Sequence, residues 1–175
     1  MITIDGGTGV ITSNNKITLP AGSGAPGTVI KVQQDSTTTQ STHTNSTSYI
    51  DTGVTSAITP SATTNDIRVI AVIQYSIQVP SGTDSGLGFK LTRTVSGTET
   101  TLYESDDPYD VYNYSASGAD ETRAHKTIDF LDAAISTTSA ATYKVYARCY
   151  NTTSTQALCQ AAGAKSTITL MEIKA

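Results

Sequence analysis

The chain has 175 residues, a formal net charge of −4 and a charged fraction of 15%. It has no Lys/Arg-rich run, which argues against nucleic acid as the main partner, because phosphate binding needs a concentrated basic surface. No run approaches the ~20 apolar residues of a membrane helix, and the start Ile2-Thr3-Ile4-Asp5-Gly6-Gly7 lacks the basic and apolar parts of a signal peptide, so neither membrane insertion nor a cleaved leader is expected.

Helical periodicity is almost absent. Clusters of Gly, Pro, Asn, Asp and Ser cut the chain into short pieces that alternate apolar with polar, the period of a half-buried strand. Residues 1–27 read as an extended N-terminal arm. Its apolar residues Ile2, Ile4, Val10, Ile11, Ile17 and Leu19 are scattered among Gly, Asn and Thr, and Pro20 to Gly27 has linker composition. The arm is too poor in apolar residues to fold alone. It is expected to dock through those six on a partner surface, for attachment or oligomerisation.

Residues 28–175 read as one β-sandwich domain. Thr28 to Gln33 is the first strand, and Ser36 to Thr47 is an edge strand or a long loop. Tyr49 to Asp51 and Val54 to Thr59 are short strands, and Pro60 to Asn65 is a turn. Asp66 to Val79 is the clearest strand, with Ile67, Val69, Ala71, Ile73, Tyr75, Ile77 and Val79 on one face. Its other face carries Ile70 and Val72 among polar residues, so part of the outer surface is expected to be covered, making these two a candidate interface. Leu87, Phe89, Leu91 and Val95 alternate with small and polar residues, and Ser96-Gly97 turns the chain into Thr98–Glu104. Asp106 to Gly118 reads as an acidic, tyrosine-rich loop. His125 to Asp132 is a strand with Ile128 and Phe130 inward. Tyr143, Val145, Ala147 and Cys149 alternate in the next strand, Gln156 to Ala161 is expected to pair back on it, and Lys165 to Lys174 ends the domain. About eight strands is the number of a jelly roll. The expected fold is all-β, a jelly-roll-type antiparallel β-sandwich with an extended N-terminal arm, and another β-sandwich is the alternative.

A hairpin turning around Ser154 would set Cys149 opposite Cys159, near enough for a disulfide. The other reading is two small buried thiols. His43 and His125 are the only histidines. His43 lies in Thr/Ser-rich sequence and reads as solvated, and His125, at the start of a strand, reads as structural or as an interface residue. No GxSxG, HExxH or Walker A is present, and nothing groups two carboxylates into a glycosidase pair. No enzyme, cofactor or metal centre is expected.

The best candidate site is Tyr103, Glu104, Asp106, Asp107, Tyr109, Asp110, Tyr112 and Tyr114. Clustered carboxylates can hold Ca²⁺, but the spacing is not that of an EF-hand. Three readings stand: a solvated acidic loop with tyrosines packed at its base, a subunit contact rich in amphipathic rings, or a surface where tyrosines stack on a sugar and carboxylates bond its hydroxyls.

Several segments in order carry a resemblance: Gly27-Thr28-Val29-Ile30-Lys31-Val32, Tyr49-Ile50-Asp51-Thr52-Gly53-Val54, Ala57-Ile58-Thr59-Pro60, Asp66 to Val72, and Ser166 to Ile173. This series resembles the C-terminal domains of tail-fibre-like virion proteins of cyanophages and other aquatic tailed phages. The resemblance implies a virion surface structural protein made in a bacterial host's cytoplasm, usually a homotrimer partnered by other virion proteins, with no catalytic motif; a host surface glycan is a candidate partner only under the sugar reading of the tyrosine-rich segment. Tail fibres usually carry a longer anchoring region than the 27 residues that precede the domain here. A small knob with an adhesive arm also suits a capsid decoration (cement) protein that bridges major capsid protein subunits.

Overall fold

The computed structural model describes residues 25–106, 109–133, 135–153 and 156–175. The six apolar arm residues Ile2, Ile4, Val10, Ile11, Ile17 and Leu19 lie outside the described residues, and so does Asp107. The strands are β1 (Val29–Thr37), β2 (Ser41–Thr42), β3 (Ile50–Ile58), β4 (Asp66–Val79), β5 (Thr83–Val95), β6 (Thr98–Glu104), β7 (Val111–Ser115), β8 (Asp120–Asp132), β9 (Ala141–Cys149), β10 (Gln156–Cys159) and β11 (Ser166–Ile173).

The pairing is that of a jelly roll. β1 and β2, β6 and β7, and β10 and β11 each follow one strand path with an interruption, which leaves eight paths. The first pairs with the last through β1·β11, and the second with the seventh through β3·β9. The third pairs with the sixth through β4·β8, and the fourth with the fifth through β5·β6 and β5·β7. These pairs alternate between two sheets, as in a long antiparallel ribbon wound around a barrel. The first sheet runs β1/β2, β11/β10, β4, β8, and the second runs β3, β9, β5, β6/β7. Every ladder is antiparallel.

Alternation places the core where the sequence puts it. Ile67, Val69, Ala71, Ile73 and Ile77 of β4 are fully buried, and they face Leu87, Phe89 and Leu91 of β5 with Tyr143, Val145 and Ala147 of β9. Ile168 and Leu170 of β11 complete the layer. Ile70 and Val72 sit on the opposite face of β4 and are half-buried.

Three differences from the sequence reading have physical causes. Gln156 to Cys159 does not pair back on β9. β9 already has β3 and β5 on its two edges, so the chain crosses to the first sheet and pairs with β4 and β2. Cys149 and Cys159 therefore belong to different sheets, both as buried thiols, rather than facing each other in a hairpin. The segment read as a loop over 106–118 contains β7, whose inward residues after Val111 are the buried Asn113 and Ser115. Polar residues on the inner face hide the alternation. Finally, β8 starts at Asp120, five residues ahead of His125.

β4 is long enough for two strands to share one of its edges. β11 pairs with residues 66–72 and β10 with 75–78, and the break falls at Gln74. The chain turns there through Gln160, in the left-handed region at φ 53°, and a 3₁₀ turn at Ala161–Gly163. Gln74 N donates to Ser166 Oγ at 2.9 Å, Gln160 N donates to the Gln74 carbonyl at 3.1 Å, and Ala161 N donates to Gln74 Oε1 at 2.7 Å. The interrupted ladder is thus satisfied by other donors and acceptors, as a buried backbone requires.

Candidate functional site

The acidic, tyrosine-rich segment divides into an inner part and an outer part. Asp110 points inward with its side chain 8% exposed. It accepts bonds from Lys126 Nζ at 2.8 Å, Ser105 Oγ at 2.5 Å, Phe89 N at 2.9 Å and the Tyr103 hydroxyl. Burial pushes the Asp110 carboxyl up, but the bonds from Lys126, Ser105, Tyr103 and Phe89 N outweigh it and hold the group below the usual carboxylate range. Burial raises the Tyr103 hydroxyl, and the bond to Asp110 adds to that. Asp110 and Tyr103 are therefore a clamp between β8 of the first sheet and the β6–β7 connection of the second. Their polar groups are engaged with each other and with the domain's interior, so they do not form one site with the rest of the segment. Glu104 and Asp106 are exposed.

A second clamp escaped the sequence reading. Arg93 of β5 donates to both oxygens of Asp132 of β8 at 2.7 and 2.8 Å, and Tyr143 OH donates to Asp132 Oδ2 at 2.7 Å. The Arg93 and Asp132 side chains are 20% and 8% exposed. The signal was present in the alternation, since Arg93 continues the inward series Leu87, Phe89, Leu91.

His43, read as solvated, is fully buried. Its Nδ1 lies 3.1 Å from the Ala147 carbonyl and its Nε2 lies 2.9 Å from Ser41 Oγ. Burial drives its pKa down to about 4, against smaller opposing effects of the Ala147 bond and Asp51. The Ser41–His43 contact resembles part of a nucleophile–base pair, but an imidazole with so low a pKa is a poor general base near neutrality. Its role is to satisfy buried polar groups where β2, β9 and β10 meet. His125 is exposed on the outer face of the first sheet.

Glu172 is another buried acid, 1% exposed, at the inward position after Leu170. Its Oε1 accepts bonds from Ser61 N at 2.6 Å, Ser61 Oγ at 2.7 Å and Asn65 Nδ2 at 2.7 Å. Burial raises its carboxyl, and the bonds from Asn65 and Ser61 bring it below the normal range. It forms part of a 370 Å³ cleft with Lys31 and Lys174. Among the described residues no group of three or more His, Cys, Asp or Glu side chains is placed to hold a metal ion.

The outer part of the segment is a tyrosine cluster. Tyr112 and Tyr114 project from β7 and are 47% and 54% exposed. The Tyr109 ring lies 5.2 Å from that of Tyr112 and 5.1 Å from that of Tyr150, centroid to centroid. Tyr150 follows β9, far away in sequence, and nothing local links it to the others. Tyr112 OH donates to Asp84 Oδ2 at 3.2 Å, and Asn151 Nδ2 donates to the Asp84 carbonyl at 3.0 Å.

Two further surfaces stand out. On the outer face of the first sheet, Val32, Met171, Arg68 and Leu131 stand in one row across β1, β11, β4 and β8, with Ile70 and Val72 in the adjoining rows. Val32 is 57% and Leu131 50% exposed. The outer face of the second sheet is a lattice of cations and tyrosines. Lys90 Nζ lies 4.8 Å from the Tyr49 ring and 5.0 Å from that of Tyr146, Arg148 lies 4.6 Å from the Tyr49 ring, and Lys144 pairs with Asp51 at 2.9 Å.

No protein-family model matches the chain, and no curated protein matches it. Among solved structures it is similar to the infectious bursal disease virus Gx strain structure, at 12% identity and a TM-score of 0.35, covering 84% of this chain and 39% of that one. It is also similar to a mutant VP2 protein of infectious bursal disease virus in derived T=1 particles, at 11% identity and a TM-score of 0.28, covering 84% of this chain and 37% of that one. The chain thus spans about two fifths of the length of the solved chains it matches. The jelly-roll winding described above rests on the strand pairings alone.

Proposed function

We propose that this protein is a non-enzymatic structural protein of a bacteriophage virion surface, which assembles as a homotrimeric knob of the tail-fibre type. The observation that carries the reading is the outer face of the first sheet. Val32 and Leu131 are exposed there and Met171, Ile70 and Val72 half-exposed, so this outward face carries five apolar side chains among Arg68, Gln34, Thr169 and Asp129. Contiguous exposed apolar area marks contact with another protein, and a closed symmetric oligomer is the usual way to cover such a face. The resemblance to tail-fibre domains supports three copies. The buried titratable groups His43, Asp110, Asp132 and Glu172 are all engaged in internal hydrogen bonds, which supports a structural role.

One observation favours a second reading, a capsid decoration protein. Gly27 N donates to the Lys174 carbonyl at 2.7 Å, and Val29, 46% exposed, pairs with Ile173. The chain therefore enters the domain at the margin of the apolar face, and an arm running from there would extend that face across a neighbouring shell subunit. Sedimentation analysis gives the first test. A mass of about three times the 18.3 kDa chain supports the trimer, and a monomer at micromolar concentration overturns it. Copy number per virion separates the placements: hundreds of copies mean the shell, and a few to a few tens mean the tail.

A further inference from the structure

We infer that the outward tyrosine cluster of the β5–β7 ribbon is a carbohydrate-binding platform that takes neutral sugar units of a polysaccharide. The inference stands on residues other than those of the apolar sheet face, and it does not require the virion reading. Tyr112 and Tyr114 are two residues apart on one face of a strand, which sets their ring bases about 7 Å apart. Tyr109 and Tyr150 widen the surface through the ring contacts at 5.2 and 5.1 Å. Tyr109 lies there because residue 86 is glycine. A Cβ on Gly86 would come 2.6 Å from Tyr109 Cβ and 2.4 Å from the Val111 carbonyl oxygen.

The chemistry fits a sugar better than a protein. Tyrosine ring faces carry negative partial charge, and a pyranose offers a face of C–H bonds with positive partial charge. Stacking the two removes apolar area from water, and the sugar hydroxyls then need polar partners at the rim. Asp84 lies at that rim, with its carboxylate already accepting from Tyr112. A protein interface is expected to include aliphatic side chains. Among the described residues the exposed large aliphatics Val29, Val32 and Leu131 lie on the other sheet, and Ile50 lies on β3, at the far edge of the second sheet from β7. Among the described residues of the tyrosine cluster the exposed large apolar side chains are all tyrosines. Each tyrosine has only two side-chain torsions to order, so the platform loses little entropy on binding. The Asp84 carboxylate repels acidic sugars, and Arg148, on the same outer face, is stacked on Tyr49.

The test uses the full chain on an array of neutral polysaccharides (dextran, galactomannan, a β-glucan and neutral bacterial O-antigens) beside alginate and heparin. Retention by at least one neutral polysaccharide is expected. The double variant Tyr112→Ala/Tyr114→Ala should weaken it by about tenfold or more, and Tyr112→Phe/Tyr114→Phe should stay within about threefold, because the rings carry the stacking. An unchanged thermal midpoint shows that both variants fold. The inference is overturned by no retention on any neutral polysaccharide, by preference for alginate or heparin, or by an alanine variant that binds as the wild type does. It is also overturned if the alanine variant lowers the mass of the assembled protein, which would make the cluster a subunit contact.

Discussion

The outer face of the first sheet sets Val32, Met171, Arg68 and Leu131 side by side across four strands. The outer face of the second sheet sets Asp51, Tyr146, Lys90 and Glu104 side by side across four strands. Both rows are outward positions of antiparallel ladders, so strand geometry does not distinguish them. What differs is what each row gains from water. Lys90 sets its ammonium over the Tyr146 ring and Lys144 sets its own beside the Asp51 carboxylate, so the charged heads find partners on this face. The first row offers water mostly methyl and methylene groups and one exposed ion pair, Arg68–Asp129 at 2.6 Å. A sandwich needs only its inner faces to fold, so the chemistry of an outer face reports on what the molecule meets.

The comparison can be broken from inside. The two sheets are tied by Arg93–Asp132–Tyr143 and Lys126–Asp110–Tyr103. Arg93→Ala strands the buried Asp132 carboxylate, and chemical denaturation should show a loss of about 3–5 kcal/mol. A loss below about 1 kcal/mol would mean that Asp132 reaches water and that the clamp does not hold the sheets together.

Acid should act next. The folded domain keeps His43 neutral, with its pKa lowered from 6.5 to about 4, while the unfolded chain takes up a proton near pH ~6.5. The His43 contribution is thus complete above that pH and is lost as the pH falls toward 4, amounting to about 3 kcal/mol. Urea midpoints measured across this window should fall, and His43→Asn should flatten the slope. Below about pH 4, Asp110 and Glu172 add a further loss, because their carboxyls are held below the normal range in the folded state and must take protons there.

The contrast between the faces is sharpened by placing the same charge on each. Ile70→Glu/Val72→Glu puts two carboxylates on the apolar face and should weaken assembly by about a hundredfold, read by sedimentation. Lys144→Glu on the other face should leave the assembled mass unchanged. Equal effects would erase the distinction between the faces. The smallest effect is expected at Arg68. Its side chain and that of Asp129 are each 48% exposed, so Arg68→Ala should leave the denaturation midpoint of the monomer close to that of the wild type. A much larger loss confined to the assembled protein would show that the pair becomes buried on assembly.

Local alternation made much of this molecule legible. The inward series of β4 and β9 could be read residue by residue, because a strand buried on one face must repeat every two residues. The jelly-roll class followed from the many short strands cut by turn residues, although Tyr49–Asp51 and Val54–Thr59, read as two strands, are the single strand β3. Alternation failed where inner faces are polar. Asn113 and Ser115 concealed β7, and His43 looked solvated among Ser and Thr although it is buried. The acidic, tyrosine-rich segment was recognised as unusual, but its division into an internal clamp at Asp110 and an outward cluster at Tyr112 depends on which face of the β5 edge each residue occupies.

The amino-acid sequence by itself determined that the chain is all-β, which residues form its core, and that Ile70 and Val72 lie off that core. Tertiary structure alone decided that Gln156 to Cys159 joins β4 and not β9, that Arg93 meets Asp132, and that Tyr150 completes the cluster with Tyr109. The reason is one of range. Side-chain periodicity is set by neighbouring residues along a strand, whereas pairing is set by which backbone edges remain to be hydrogen-bonded once the rest of the chain is in place.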